Sequence, residues 1–177
     1  MMKKVIRIFE YIFVSIIALF LGINVCVAQE QQIRLISDKV DPAIGSEFSV
    51  KVQYNCSDNT VTALGVSIHF DSTIIKYKGS SDTYDNGKLA APQVQNDKNN
   101  LDGDNSTDKM ILLSYSDPIQ GNCPGVNLPI NLATLKFFKI SPEPTSINVN
   151  KITGAAGFDF VGEKLQFWNY LWIFKSY

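Results

Sequence analysis

The sequence predicts an all-β fold in which short antiparallel strands form a sandwich or a barrel. Several segments alternate apolar and polar residues with a period of two, which is typical of strands that bury one face. No segment after residue 28 has a convincing helical period, and prolines and glycines fall between the alternating segments. The 177 residues, of which 45% are hydrophobic and 19% charged, fit one globular domain and exclude a disordered chain.

Residues 1–28 have the layout of a secretory signal peptide. A positively charged start precedes an almost wholly apolar stretch from Tyr11 to Val27, and small residues precede a cleavage position between Ala28 and Gln29. The alternative is an uncleaved membrane anchor, because the apolar stretch approaches the ~20 residues that span a bilayer. In both cases we expect the rest of the chain, a predicted domain over residues 29–165, to be exported.

Strand character is clearest where large apolar residues alternate with polar ones, as in the segment from Glu47 to Tyr54. The continuous apolar run at residues 110–113 is less regular and indicates a strand buried on both faces. The predicted strands are Gln32–Ser37, Glu47–Tyr54, Val61–Phe70, Thr73–Gly79, Lys109–Ser116, Ile130–Ile140 and Thr145–Ile152. The predicted core consists of Phe48, Val50, Val52, Leu64, Val66, Ile68, Leu112, Leu135, Phe137, Ile147 and Val149.

Charge and composition exclude several function classes. A net charge of −1 gives no electrostatic basis for binding nucleic acid. One histidine and three scattered cysteines exclude a histidine-rich metal site and a zinc knuckle. The few glutamates do not lie in apolar runs that would raise a carboxyl pKa for glycoside hydrolysis. We therefore do not expect an enzyme, and a secreted hydrolase is the least favoured alternative.

Cys56 and Cys123 are the cysteines that remain after the predicted signal peptide. In an oxidising compartment, two cysteines in a small exported domain suggest a single disulfide. The alternative is two separate thiols, because the sequence does not show whether the two Cα atoms come close enough to be bridged.

Residues 80–108 interrupt the strand pattern with a long loop that is rich in Asp and Asn and lacks strand character. Calcium binds six to eight oxygen ligands, and closely spaced acidic residues around a glycine can supply them. The predicted calcium ligands are Asp97, Asn99, Asp102, Asp104 and Asp108. Their spacing does not match that of an EF-hand loop. The alternative is a solvated acidic loop without a cation.

Ser67, His69 and Asp71 invite comparison with a catalytic triad. Residues i and i+2 of a strand lie ~6.6 Å apart along the backbone, so three such side chains are not expected to converge. We expect His69 to be an ordinary strand residue and Asp71 to begin the turn after its strand.

Three segments together resemble cohesin domains. The alternating strand that ends in Phe70-Asp71 and continues into a second strand is similar to the early strand pair of that family. Residues 132–139, Leu-Ala-Thr-Leu-Lys-Phe-Phe-Lys, and the strand opening at Gly45 also resemble cohesin strands, so that the likeness spans about residues 33–162. The resemblance implies an antiparallel jelly-roll β-sandwich that binds dockerin domains in polysaccharide-degrading complexes.

The resemblance implies a non-catalytic module with a dockerin-like protein partner in a polysaccharide-degrading or cell-surface context, and the signal-peptide layout predicts that the module is secreted or periplasmic. The alternative is a carbohydrate-binding module of the same architecture, in which aromatic rings on a flat sheet stack on sugars. Its candidate aromatic residues are Tyr77, Tyr84, Tyr115 and Trp168. The residues 166–177 form an irregular aromatic tail for which the sequence suggests no clear structure.

Overall fold

The computed structural model describes residues 30–56, 63–116, 127–153 and 159–167. Within these ranges the regular secondary structure is entirely β. The strands are β1 (Glu30–Ser37), β2 (Glu47–Cys56), β3 (Ala63–Phe70), β4 (Ile75–Ser81), β5 (Gln93–Asn96), β6 (Lys109–Ser116), β7 (Ile130–Lys139), β8 (Thr145–Thr153), β9 (Asp159–Gly162) and β10 (Leu165–Phe167). A helix long and apolar enough to cross a membrane does not occur in the described part of the chain.

The strands form two five-stranded sheets that pack face to face as a jelly-roll sandwich. The first sheet has the order β4-β7-β2-β1-β9, and the second has the order β10-β8-β3-β6-β5. Neighbouring strands are antiparallel except for β1 and β9, which pair in parallel from Glu30 and Asp159 onwards. The predicted antiparallel sandwich is therefore confirmed, with one parallel edge pair added.

The predicted strands are all present, and β6 begins and ends at the predicted residues. Three short strands were not predicted, namely β5, β9 and β10. The prediction that residues 80–108 lack strand character is wrong at β5, whose residues are all exposed and so carry no alternation of buried and exposed positions. β10 includes Gln166 and Phe167, and Phe167 is buried in the core.

The core between the sheets is centred on aromatic rings. Phe137 of β7 contacts Phe48 with ring centroids 5.6 Å apart, Phe70 at 5.4 Å and Tyr77 at 5.8 Å. Phe167 closes this cluster with an edge contact to Phe48 at 5.1 Å. Aromatic pairs with these separations add to the free energy gained from burial itself.

The predicted core is correct at most positions and wrong at Leu112. The apolar run in β6 does not reveal which residues face inward, and the structure places Ile111, Leu113 and Tyr115 in the core. Leu112 therefore points to the other face of the second sheet, where it is only partly buried. Val149 is also only partly buried, although it packs against the core.

Lys139 is a buried cation at the end of β7. Its side chain is 1% exposed, and its Nζ donates a hydrogen bond to the Glu143 carbonyl oxygen at 2.9 Å. Burial lowers the pKa of the Lys139 ammonium group, while the charges of Asp41 and Glu143 oppose that shift. The ammonium group is thus held in an environment that disfavours its charged form.

We predict that Phe137→Ala lowers the free energy of unfolding by about 3–5 kcal/mol, because it opens a cavity in the aromatic cluster. Urea denaturation followed by fluorescence measures this loss. Lys136→Ala, an exposed neighbour on the same strand, is the control and should change stability by less than about 0.5 kcal/mol. A loss below about 1 kcal/mol for Phe137→Ala would contradict the position of Phe137 at the centre of the core.

We predict that Lys139 makes the protein more stable as the pH rises toward its ordinary pKa of 10.5. Because the folded pKa is lowered, the unfolded chain holds the proton over a range in which the native chain has released it, so the free energy of unfolding rises with pH there. Lys139→Met should lack this rise, and Lys136→Met should keep it. If the free energy of unfolding of wild type and of Lys139→Met changes equally from about pH 8 to 10.5, the buried lysine does not cause the rise.

Candidate functional site

The outer face of the second sheet is covered at its centre by residues 97–108, which we call the acidic insert. On β3, Ser67 and His69 point away from the core and yet are fully buried. The insert is attached at both ends, since the Asp97 amide donates to the Asp108 carbonyl at 2.9 Å and the Asp108 amide donates to the Phe70 carbonyl at 3.2 Å. The acidic loop is therefore an ordered layer on the sheet.

The insert is built from consecutive tight turns that its sequence favours. Asn100 and Gly103 have φ angles of 48° and 72°, in the left-handed region that asparagine and glycine tolerate best. Asp102 Oδ1 accepts the Asp104 amide at 3.2 Å, and Asp104 Oδ1 accepts the Ser106 amide at 3.0 Å. Such side-chain to backbone hydrogen bonds stabilise turns in place of a strand.

His69 joins the insert to the sheet through a buried chain of hydrogen bonds. Its Nδ1 lies 2.7 Å from Asp97 Oδ2, and its Nε2 lies 2.6 Å from Ser67 Oγ. Because a carboxylate only accepts, Nδ1 donates to Asp97, while the direction of the hydrogen bond between Nε2 and the Ser67 hydroxyl is set by the tautomer of the ring. Asp102 Oδ1 is 3.8 Å from the same Nδ1, and the side chains of His69 and Asp97 are 0% exposed.

Ser67, His69 and Asp71 do not form a triad, as expected, but the prediction from strand spacing is wrong for Ser67 and His69, which are in hydrogen-bond contact. The long imidazole ring bridges the spacing of two same-face residues and reaches the Ser67 hydroxyl. The third member is Asp97, which is distant in sequence, whereas Asp71 begins the next turn as predicted and accepts the Thr73 amide at 2.8 Å. Only the folded insert brings Asp97 to the ring, so no local pattern in the sequence indicates this contact.

This arrangement has the connectivity of a catalytic triad but not its accessibility. A nucleophilic serine must reach the substrate carbonyl, and Ser67 is 0% exposed beneath the insert. What the Ser67–His69–Asp97 chain does in this structure is hold the insert on β3. Leu101 contributes a further backbone amide to the Asp97 carboxylate at 3.1 Å.

A second group of contacts holds the insert on β8. The Asn148 amide nitrogen donates to Asp102 Oδ2 at 2.7 Å and to Asp104 Oδ2 at 3.0 Å. Thr107 Oγ1 donates to Asp102 at 3.0 Å, and Lys164 Nζ donates to Asp104 at 3.0 Å. These donors offset the repulsion expected between neighbouring carboxylates.

The pKa of Asp104 lies well below its usual range. Hydrogen bonds from the Ser106 side chain, from Asn148 and from Lys164 favour the ionised carboxylate, in that order of size. Asp104 is thus held as an anion at all but strongly acidic pH.

The structure brings together three of the five predicted calcium ligands. Asp97, Asp102 and Asp104 converge on the outer faces of β3 and β8, and within the described residues the ligand atoms of His69, Asp97 and Asp102 lie within 4.8 Å of one another. Asp108 instead accepts both the amide and the hydroxyl of Ser72, each at 2.7 Å. Asn99 is exposed on the surface of the insert.

Sequence reasoning missed Asn148 and His69 as partners of the insert. Asn148 lies on the outer face of β8, and the insert buries it to 8% exposure. Polar residues are ordinary at outward positions of a strand, so neither residue carried a local signal of the insert.

Other predicted site residues are distributed as follows. Cys56 is half-buried at the end of β2, whereas Cys123 lies outside the described residues, so the disulfide stays a prediction. Residues 1–28 and Trp168 also lie outside them. Tyr115, a candidate sugar-stacking residue, is 2% exposed, and its hydroxyl donates to the Leu132 carbonyl at 2.9 Å.

Solved structures of other proteins share this architecture. No family model and no curated protein matches the sequence. Among solved structures, the CaCohA2 protein of Clostridium acetobutylicum, in a complex with a variant of CaDoc0917, matches with a TM-score of 0.54 and 16% identity over 77% of this chain and 97% of that chain. The chain has the cohesin fold.

Two further cohesin structures match less closely. A type II cohesin domain from the cellulosome of Acetivibrio cellulolyticus has a TM-score of 0.49 and 11% identity, covering 81% of this chain and 96% of that one. The cohesin module of a Clostridium perfringens family 33 glycoside hydrolase has a TM-score of 0.49 and 10% identity, covering 79% and 95%. The fold assignment is based on the CaCohA2 match, and at such identities the likeness concerns the fold.

We predict that Asp104 contributes stability that is lost as the pH falls below about 5. Because its folded pKa lies below its unfolded value of 3.8, the unfolded chain takes up the proton first and acid favours unfolding. Asp104→Asn should be less stable than wild type at pH 7, and the difference should shrink as the pH falls through the unfolded pKa. Thermal unfolding from about pH 7 to 3 tests this, with the exposed Asp85→Asn as control. A difference that does not change with pH would contradict it.

Proposed function

We propose that this chain is an exported, non-catalytic recognition module that binds a protein partner of the dockerin type. The observation that carries the proposal is the cohesin fold, whose match is to a CaCohA2 structure in complex with CaDoc0917. The layout of residues 1–28 supports export, and the cellulosomal origin of a second match supports a polysaccharide-degrading context.

The partner surface that we propose is the outer face of the first sheet. The register places Lys136 of β7 beside Ser49 of β2, and Lys51 of β2 between Thr134 of β7 and Ile36 of β1. The exposed basic side chains on this face are Arg34, Lys51, Lys76, Lys78 and Lys136. We call this set the basic face.

The basic face also carries apolar anchors. Phe138 is half-buried between Lys76 and Glu47 in the register, and Ile36 is 42% exposed beside Lys51. Flat surfaces with a few apolar anchors inside a charged surround are typical of protein–protein interfaces.

Charge complementarity identifies the chemistry of the partner. On the described strands β1, β2, β4 and β7, the acidic side chains of this face are Glu30 and Glu47, both at the first residue of their strands. Glu163, which follows β9, forms an ion pair with Arg34 at 3.0 Å, so the lysines carry the excess positive charge of the face. The chain as a whole has a net charge of −1, so its negative charge lies elsewhere, much of it on the insert. We therefore propose an acidic protein segment as the occupant, because opposite charge raises the rate of encounter and fixes orientation.

The second sheet is a poorer candidate for this role. The acidic insert covers the centre of its outer face, where Ser67, His69, Ser146 and Asn148 are buried. A partner that approached β3 would meet the insert instead of the sheet.

Nothing in the described residues favours direct sugar binding. Their exposed large hydrophobic side chains are all aliphatic. Tyr77 contacts Phe137, and Tyr84 contacts the buried Tyr115 with ring centroids 6.4 Å apart. These rings are part of the sandwich and do not form the aromatic platform that stacks on a polysaccharide.

We predict that the protein binds at least one dockerin-type domain encoded in the same genome, and that Lys51→Glu combined with Lys136→Glu weakens binding at least tenfold. Biolayer interferometry with purified dockerins measures both results. The matched control is Lys98→Glu with Lys151→Glu, two exposed lysines on the insert and β8 that make the same charge change away from the basic face.

The outcomes separate the function from the surface. If no dockerin binds, and insoluble polysaccharide retains the protein instead, the protein-recognition proposal is wrong. If a dockerin binds and both double variants bind it equally well, the function stands and the basic face is not the docking surface.

A further inference from the structure

The connection between β4 and β5 contains a turn with an unusual pair of residues at its centre. Asn86–Gly87 is the one Asn-Gly pair in the sequence. The Lys88 amide donates to the Asp85 carbonyl at 3.2 Å, which closes a β-turn around this pair, and Gly87 has a φ angle of 70°. Asparagine is a thermolabile residue type, and a glycine that follows it has no side chain to shield the backbone nitrogen. The turn therefore places a labile amide beside an unhindered nitrogen.

Both groups that can react at this turn lack hydrogen-bond partners. Asn86 is exposed, and its side chain forms no hydrogen bond in the part of the chain that the structure describes. The Gly87 amide nitrogen likewise donates to no described residue, since the Lys88 amide closes the turn instead. The Asn86 side chain can thus rotate until its Cγ atom meets the Gly87 nitrogen.

We propose that Asn86 is a self-modification site, at which the Gly87 nitrogen is the nucleophile and the asparagine becomes isoaspartate. The Gly87 nitrogen bonds to Asn86 Cγ, the Cγ–Nδ2 bond breaks, and ammonia leaves with the proton that the Gly87 amide gives up. Water then opens the succinimide ring. Addition of water to the Cγ carbonyl gives aspartate, and addition to the main-chain carbonyl of residue 86 gives isoaspartate, in which the chain continues through the side-chain carbon. Water is consumed, ammonia is released, and nothing is oxidised or reduced.

The fold protects the related pair Asp102–Gly103, which lies in the acidic insert and is the one Asp-Gly pair in the sequence. An Asp-Gly pair forms the same succinimide by loss of water. The Asp102 side chain is 2% exposed and accepts a hydrogen bond from Asn148 Nδ2 at 2.7 Å. The Gly103 amide donates to the Asn100 carbonyl at 3.1 Å, so its nitrogen is engaged as well. The native structure therefore directs the reaction to Asn86.

The modified residue lies between anchors on the two sheets. On one side of the turn, the Tyr84 amide donates to the Leu132 carbonyl of β7 at 2.9 Å. On the other side, the Gly87 carbonyl accepts the Ser116 amide of β6 at 2.7 Å. Isoaspartate inserts one more backbone carbon between these anchors and adds a negative charge. The pairing of residues 87–89 with the end of β6 must then shift.

The test is mass spectrometry of the full protein after incubation in mildly alkaline buffer, in which the Gly87 amide loses its proton more often. Trypsin, which cuts after lysine, releases residues 79–88 with Asn86 and residues 99–109 with Asp102 and three further asparagines. We expect residues 79–88 to gain the mass of an amide replaced by a carboxylic acid, well ahead of residues 99–109. Methyl transfer from S-adenosylmethionine by an isoaspartyl methyltransferase detects the isoaspartate in each peptide.

The matched control is Asn86→Gln, which keeps an exposed amide but needs a larger ring and so reacts far more slowly. This variant should lose the isoaspartate signal of residues 79–88. A signal that persists in the variant would place the reaction at an aspartate of the same peptide and overturn the proposal.

Incubation in urea separates the chemistry of the pair from its setting in the fold. Because the native turn leaves both groups free, residues 79–88 should react at similar rates with and without urea. A peptide that is modified in urea and stays unmodified in the native protein would show that the folded turn keeps the groups apart, and the proposal would be wrong. It would also be wrong if native residues 99–109 formed isoaspartate as fast as residues 79–88.

Discussion

The hydrogen bond between His69 and Asp97 joins the acidic insert to β3. Neither residue alone would hold the insert in place on the sheet. Asp97 is a carboxylate with a fully buried side chain, and an unpaired charge in such a position is strongly unfavourable. The 2.7 Å hydrogen bond from His69, together with the Leu101 amide, offsets part of that penalty. Because His69 is itself anchored by Ser67 on the same strand, the insert is fixed to β3 and its acidic side chains acquire defined positions. The Asn148 contacts depend on that placement.

Covering one sheet makes the two faces of the sandwich chemically different. The second sheet is overlaid by an acidic layer, which explains why β3 is buried on both faces although the described residues form two sheets and no third one. The first sheet has no such cover over Lys51 and Lys136, and its exposed charged side chains are mainly basic. A chain whose net charge is close to zero therefore has strongly separated charge, which orients an approaching charged partner better than a uniform distribution would.

The sequence was a good guide to the strands and a poor guide to what lies on them. Alternation identified β2, which buries one face and exposes the other, and β8, whose inward residues are apolar and whose outward residues are polar, and that signal is local. It failed at Leu112, where apolar residues on both faces conceal the direction of the strand, and at β5, whose residues are all exposed. The partnership of His69 with Asp97 depends on the path of a loop 28 residues away, which no local pattern encodes. The acidic residues of the insert were recognised as a possible site, but their donors on β3 and β8 were visible only in the fold.

The separation of the two faces also limits how a calcium ion could influence binding. Packed sheets lie about 10 Å apart, so an ion beside Asp104 and a partner on Lys136 would be separated by the whole sandwich and its side chains. At physiological ionic strength the screening length is about 8 Å, so direct attraction or repulsion between them is weak. An ion at that position would instead stabilise the insert on β8, and through β8 and β3 the native sandwich as a whole. A calcium ion bound to the insert would therefore change the folded fraction of the protein under destabilising conditions and would leave the intrinsic affinity of the basic face almost unchanged.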